Sequence, residues 1–451
     1  MKNEEETKID AVEQLIILGN GFDLAAGLPS SYKEFLGTKL SRMDFDGFPE
    51  IKSTVQLRND LQKREDQLKK NSIGQIYFDT VASIIDVEYM KLPANAVDFV
   101  PLSQQIFYRI PELEDGIKVI EYLMGNDWSV WEVLLLYNSN FSNFNMDFNW
   151  QDIESLIYRV INSVRDSDFE ANLYIRVTSI FTNGFEKSKD GFVSRDDFFS
   201  REAFIMFICL FDKYSVYGDE KVPTKNNENY FIRILAGELT KFENSFKFFL
   251  IENQEVEMYK KNSSEILTLL TGKKNASFNL LNFNYTQPEL NLSNIENDGA
   301  TIFAKNIHGI AKKQGEIIFG IDNANIDADL SMIEYSLTKS YRTMRNRQNP
   351  QPTLYNKGIK QIKFYGHSFG EADYGYFFQI FNDVGLLNMD IKLEFYYSIY
   401  EGSSAERILM SQKLSVAKLL ETYATSVQGD LIGKTILTQL NNEDKLELIE
   451  I

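Results

Sequence analysis

The sequence predicts an α/β fold, a parallel sheet core interrupted by a large helical insertion. Three observations carry this expectation. Leu15-Ile16-Ile17-Leu18 is an unbroken apolar run that stops at a glycine turn, the pattern of a strand buried on both faces. Residues 51–272 change character, with long stretches of helical spacing and few strand signals. Short apolar runs return beyond residue 273 and alternate with helix-like segments.

The first run ends at Gly19-Asn20-Gly21. Ser30 or Ser31 then supplies a cap for the helix that the spacing predicts over 32–40. Within the insertion, helical spacing covers 55–70, 116–123, 152–164, 169–181 and 230–252. Strands are expected at 277–283, 316–321, 361–366 and 392–397, with helices at 333–345 and 374–384 between them. The first strand is expected to join these later ones in one sheet. Residues 1–50 and 273–400 then form one discontinuous domain, 51–272 its helical insertion and 401–451 a C-terminal helical extension.

Composition narrows the function classes. The 451 residues carry a net charge of −18, which repels phosphate backbones and argues against nucleic acid as a partner. The charge run Lys339, Arg342, Arg345 and Arg347 reads as a solvated helix face. The single cysteine, Cys209, lies in an apolar run and reads as a small buried hydrophobe. One cysteine and two separated histidines leave no zinc-ligand pattern, so no metal is expected. The start Met-Lys-Asn-Glu-Glu-Glu-Thr is not a signal peptide, and no apolar stretch approaches the ~20 residues of a membrane span. A cytoplasmic protein with no membrane partner is expected.

Four segments place glycines or polar residues directly after an apparent strand, where ligands bind in open α/β sheets. In Gly19-Asn20-Gly21-Phe22-Asp23 two glycines allow close backbone approach, and a following helix start offers amides to a pyrophosphate. Leu24 breaks the G-x-G-x-x-G spacing, and a plain strand-to-helix turn fits these residues equally. In Asn282-Phe283-Asn284-Tyr285-Thr286, Asn284 has the donor and acceptor needed to orient a water or a ribose hydroxyl, or simply to shape a turn. His308, before Gly309, suits a general base near neutral pH or a structural role. Gly366-His367-Ser368-Phe369-Gly370, leading to Asp373, offers backbone amides and a hydroxyl to phosphate or ribose. There His367 serves as a ligand contact or bonds within its own loop. In Trp150-Gln151-Asp152-Ile153-Glu154, Asp152 reads as a helix cap with a solvated Glu154. The chain holds no P-loop and no nucleophile elbow.

Together these segments resemble the AbiH family of bacterial phage-defence proteins. The resemblance rests on Ile17 to Leu24, Gly27 to Tyr32 and Phe35, on Trp150, Asp152 and Glu154, and on Asn282 to Thr286. It continues in Ile307-His308-Gly309 and in Gly366 to Asp373. AbiH motifs are in turn similar to those of Sir2-like domains, which implies a Sir2-like Rossmann core. By that similarity Gly19, Asn20, Gly21, Phe22 and Asp23, with Gly27-Leu28-Pro29, correspond to the loop that cradles NAD. Asn284 and Tyr285 match the motif near the nicotinamide ribose, and His308-Gly309 the pair that supplies the catalytic base. Gly366, His367 and Ser368, with Asp373, match the loop at the adenosine end. Three departures stand out: Thr286 in place of an aspartate, His367 in place of a smaller or aromatic residue, and Asn20 with Asp23 in the glycine loop.

The resemblance implies an anti-phage protein that hydrolyses NAD to nicotinamide and ADP-ribose through Asn284 and His308. Glu154 or Asp23 would steady positive charge on the sugar. NAD would be substrate or ligand, with no permanently bound cofactor, and a second copy or a partner defence protein would control the site. The alternative is a non-catalytic nucleotide sensor that controls a partner effector. A metal-dependent nucleic-acid effector fits the −18 charge poorly.

Overall fold

The computed structural model of the protein describes residues 12–64, 119, 122–138, 153–154, 156–157, 228–272, 277–288, 302–321, 334–345, 355, 358–370, 373–399, 404–429 and 433–451. Six strands make one sheet: β1 (Gln14–Leu18), β2 (Phe278–Asn282), β3 (Ile302–Asn306), β4 (Gln361–Tyr365), β5 (Lys392–Tyr397) and β6 (Leu446–Glu450). Their order is β3-β2-β1-β4-β5-β6, and every pairing is parallel. This is the predicted α/β architecture. The strand order reverses between β1 and β4, the place where such sheets open a crevice at their carboxyl edge.

Register decides what meets at that edge. Leu18 stands opposite Asn282 on one side and Tyr365 on the other, and Asn282 stands opposite Asn306. The residues that follow, Gly19, Phe283, Ile307 and Gly366, therefore leave the sheet side by side.

The sheet is covered on both faces; β1 is apolar on each, while β4 and β5 bury the pair Lys363 and Glu394 on one. Leu15, Ile17, Leu281, Ile362, Phe364, Leu393 and Phe395 face one way, against Phe377, Ile380 and Phe381 of α8 (Tyr374–Val384) and Leu419, Leu420 and Tyr423 of α9 (Ala405–Gln428). Ile16, Leu18 and Leu280 face the other, against Phe22 of α1 (Asn20–Ala25) and Leu267 and Leu270 of α6 (Glu257–Thr271). Each such buried side chain contributes roughly 1.5–3 kcal/mol of transfer free energy.

A second core joins α2 (Tyr32–Ser41), α3 (Pro49–Arg64), α4 (Val130–Asn138) and α5 (Glu228–Gln254). Tyr32, Phe35, Phe242, Phe246 and Phe319 pack there with ring centroids 4.8–6.3 Å apart. Ser31 caps α2 through a full capping box with Glu34. The remaining helices are α7 (Lys339–Arg345), after a short 3-10 turn at Glu334–Leu337, and α10 (Ile436–Asn442).

Three expectations change. The apolar run 316–321 forms isolated bridges rather than a strand: the amide of Ile318 is taken by the His308 carbonyl and that of Phe319 by the Glu243 carboxylate, so no ladder is left to make. The sheet instead gains β3 and β6, which lie at its two edges. Edge strands mix polar with apolar residues, and β6 is nowhere fully buried, so neither shows an unbroken apolar run. The segment 401–451, expected as a helical extension, contributes a sheet-covering helix and the outermost strand.

Among the described residues no helix is long and apolar enough to cross a membrane. Cys209 and the helical spacing at 169–181 lie outside the described residues.

Candidate functional site

The glycine turn after β1 is fastened to the turn after β4. The Gly19 amide donates to the Tyr365 carbonyl at 2.9 Å, and the Gly21 amide to the Gly366 carbonyl at 2.8 Å. A Cβ on Gly19 would lie 2.5 Å from the His367 Cα, and one on Gly366 2.2 Å from the Phe22 nitrogen. Gly366 also has φ +69°, a conformation glycine alone adopts without strain. The absent side chains thus let two backbones touch. Two amides expected to be open to a phosphate are already bonded, while Asn20, half-buried, accepts a 2.7 Å hydrogen bond from Ser30. Phe22 is buried edge-on against Tyr365.

Asp23 points inward, not to the carboxyl edge. It is 1% exposed and accepts hydrogen bonds from Tyr259 at 2.7 Å and from Thr286 at 2.7–2.8 Å. Burial pushes its pKa up to about 7, against the opposing pull of those hydroxyls.

The turn after β2 is a web of amides. Asn282 accepts from the Asn284 backbone at 3.0 Å and donates to the Thr286 carbonyl at 2.7 Å. Asn306, at the end of β3, donates to the carbonyls of Asn284 and Thr286, both at 2.8 Å. The Asn284 side-chain nitrogen donates to the Gly19 carbonyl at 3.0 Å. Asn284 thereby bridges β2 to the glycine turn and keeps its side-chain oxygen as an acceptor. Tyr285 faces away, with its ring against Phe246 and Phe319 and its hydroxyl on the Ile318 carbonyl at 3.0 Å.

Both histidines converge on one carboxylate. Nε2 of His308 lies 3.5 Å from one Asp373 oxygen, and Nε2 of His367 lies 3.5 Å from the other. Asp373 occupies the N-cap position of α8, yet its side chain does not cap the helix. It points instead to the histidines and to Lys339, at 3.3 Å. Lys339, on α7, also pairs with Glu154. The ring of Phe283 packs edge-on against both imidazoles, with centroids 5.7 Å from His308 and 4.8 Å from His367.

The electrostatics follow from this packing. His308 is 5% exposed. Burial first, and the Lys339 ammonium second, bring its pKa down to about 4, so the ring is neutral at physiological pH. Burial works against charge on Asp373, but Lys339 and then the histidines outweigh it and hold the carboxyl well below its usual range. Burial likewise opposes charge on Lys339, yet Asp373 and Glu154 keep the ammonium above its ordinary value. With a carboxylate at Nε2, the His308 proton belongs on that nitrogen. Nδ1 is then a buried lone pair, and among the described residues it has no hydrogen-bond partner.

The family model described as bacteriophage abortive infection AbiH matches residues 15–395. The chain belongs to the AbiH family. The matched stretch opens in β1 and closes in β5, so it contains every residue of the site. Membership supports a role in abortive infection against bacteriophage. Neither the curated proteins nor the solved structures give a match.

On this AbiH chain the structure brings Asn284, His308, His367, Asp373 and Glu154 to the carboxyl edge of the sheet. Ser368 is exposed on the loop beside them, and His367 bonds within that loop, accepting the Phe369 amide at Nδ1. Asp23 and Tyr285 are turned into the cores. Trp150 and Asp152 lie outside the described residues. Lys339 is 4% exposed, and Arg342 bonds the Phe319 carbonyl and the Glu243 carboxylate, so these two do not form the solvated face their charge run suggests. Sequence reasoning gave no site role to Lys339, Phe283 or Tyr259. The partners of Lys339 come from distant segments, and its neighbours in the chain, Thr338 and Ser340, mark nothing unusual.

Proposed function

We propose that the protein is an NAD glycohydrolase of phage defence, with His308 as general base and Asn284 as the group that orients water and ribose. The buried Nδ1 of His308, without a hydrogen-bond partner among the described residues, on the turn after β3 next to the β2 turn that holds Asn284, carries this reading. In the reaction the bond between nicotinamide nitrogen and ribose C1′ breaks, and its electron pair leaves with neutral nicotinamide. Water oxygen bonds C1′, and the water proton passes to His308 Nδ1. That transfer contributes typically 10²–10⁴-fold. Placing water and sugar in one orientation supplies much of the rest. The Asn284 side-chain oxygen is the acceptor for the water or a ribose hydroxyl. Ser368 and its loop would hold the adenosine end. A second copy or a partner defence protein would keep the site silent until infection.

A second reading, a nucleotide sensor that controls a partner effector, draws on Thr286. A hydroxyl committed to Asp23 stands where the Sir2-like pattern has an aspartate, which favours holding a ligand over transforming it. The two readings separate on purified full-length protein incubated with NAD. Catalysis yields nicotinamide and ADP-ribose, and His308→Ala abolishes the yield. A sensor is stabilised thermally by NAD and returns it unchanged.

A further inference from the structure

Lys339 belongs to no expected site, yet it is among the most deeply buried charges at the sheet's carboxyl edge. A buried ammonium needs compensation, and Lys339 finds it in Glu154 on one side and Asp373 on the other. Asp373 in turn gives up the capping role its position offers and presents one oxygen to each imidazole. His367 is already committed, because its Nδ1 accepts the Phe369 amide at 2.9 Å, which leaves the ring proton on Nε2.

We propose that Lys339 and Asp373 are positioning residues: Lys339 keeps Asp373 a carboxylate, and Asp373, shared between two Nε2–H groups, locks His308 in the tautomer that bares Nδ1. The role as servant of a base rests on the function proposed above; the tautomer itself does not. The groups that face His308 are Asp373 and Tyr376 from the start of α8, Lys339 from α7, His367 from the turn after β4 and Phe283 from the turn after β2. Of the charged groups only Asp373 favours a ring proton, and it does so at Nε2. At 3.5 Å both contacts stand at the outer limit of a hydrogen bond, a spacing that catalytic contacts close when a ligand arrives.

The chain contains two histidines, so full-length protein labelled with ¹⁵N-histidine gives two ring systems, assigned by His367→Gln. In wild type at pH 7, His308 is expected as the neutral Nε2–H tautomer, with the Nδ1 resonance in the unprotonated range. Lys339→Met, which keeps the length and removes the charge, is expected to raise the pH at which the His308 ring protonates by about one unit or more. Lys339→Arg is expected to restore the wild-type value. Asp373→Asn is expected to release the tautomer to a mixture. The wild-type measurement alone overturns the proposal if His308 carries its proton on Nδ1, and no variant has to fold for that result. A ring titration unmoved by Lys339→Met in a folded protein also overturns it. These spectra involve no turnover, so a protein that leaves NAD intact yet shows the Nε2–H tautomer retracts the enzyme and upholds the positioning.

Discussion

The hydroxyl of Thr286 lies 2.8 and 2.7 Å from the two carboxylate oxygens of Asp23. Two residues far apart in sequence thus bind each other. The hydroxyl comes from the turn after β2, and the carboxylate from the glycine turn after β1. The pair pins the loop to the turn that carries Asn284, and Tyr259 on α6 closes the arrangement from outside.

That pin has a pH dependence. Burial raises Asp23 from its ordinary 3.8 to about 7 in the folded protein. The folded state therefore binds the proton more tightly, and the stability this lends is present below pH 4 and lost as pH rises through 7. Relative to Asp23→Asn, wild type should lose on the order of 4 kcal/mol between those limits. Denaturant unfolding at a series of pH values measures it. Parallel stability curves for the two proteins would remove the basis of this account of Asp23.

His308 pulls the other way in nearly the same window. Its pKa falls from 6.5 to about 4 on folding, so the unfolded chain binds the proton more tightly. Its contribution is complete above pH 6.5 and is lost as pH falls toward 4, by about 3 kcal/mol. In His308→Gln that acid-side loss should shrink. The melting temperature across pH 4–7 reports it, with opposite sign to Asp23→Asn.

The glycines divide by what surrounds them. Gly366→Ala puts a Cβ 2.2 Å from the Phe22 nitrogen at positive φ, and neither backbone can retreat without parting β1 from β4. A loss of at least about 3 kcal/mol is expected. Gly237, inside α5 with nothing within 4 Å, should gain about 0.5–1 kcal/mol as alanine. Chemical denaturation of the two variants, side by side, separates close approach from simple helix propensity.

Arg342 tests the corrected reading of the basic run. Its guanidinium lies 2.6 Å from Glu243 and 2.7 Å from the Phe319 carbonyl, with little exposure on either side chain. Arg342→Met strands Glu243 in the core and should cost about 3–5 kcal/mol. Arg42→Met, at an exposed pair with Glu252, should leave unfolding unchanged within error. Equal effects at the two sites would mean that Arg342 is solvated after all.

β1 was legible because burial on both faces writes an unbroken apolar run, Leu15 to Leu18. The edges were not, because β3 and β6 need cover on fewer sides and keep Lys305, Glu447 and Glu450 in their runs. Asn284 and His367 could be picked out as polar residues placed just past apolar strands, and His308 as one of two histidines, set before a glycine. The convergence of both histidines on Asp373 could not, since it depends on register between strands far apart in sequence. Nor could Lys339, whose local sequence is that of a surface helix until Glu154 and Asp373 fold onto it.

Consumption of NAD at this site is what separates an enzyme from a sensor. Bacteria expressing the full chain as wild type, Asn284→Ala or His308→Ala, infected with a phage the wild type restricts, allow NAD, nicotinamide and ADP-ribose to be followed through infection. Wild type should deplete NAD with matching rises in both products, and each variant should slow this by about 10²-fold or more. NAD that holds steady in restricting wild-type cells, or falls equally in both variants, would contradict the account.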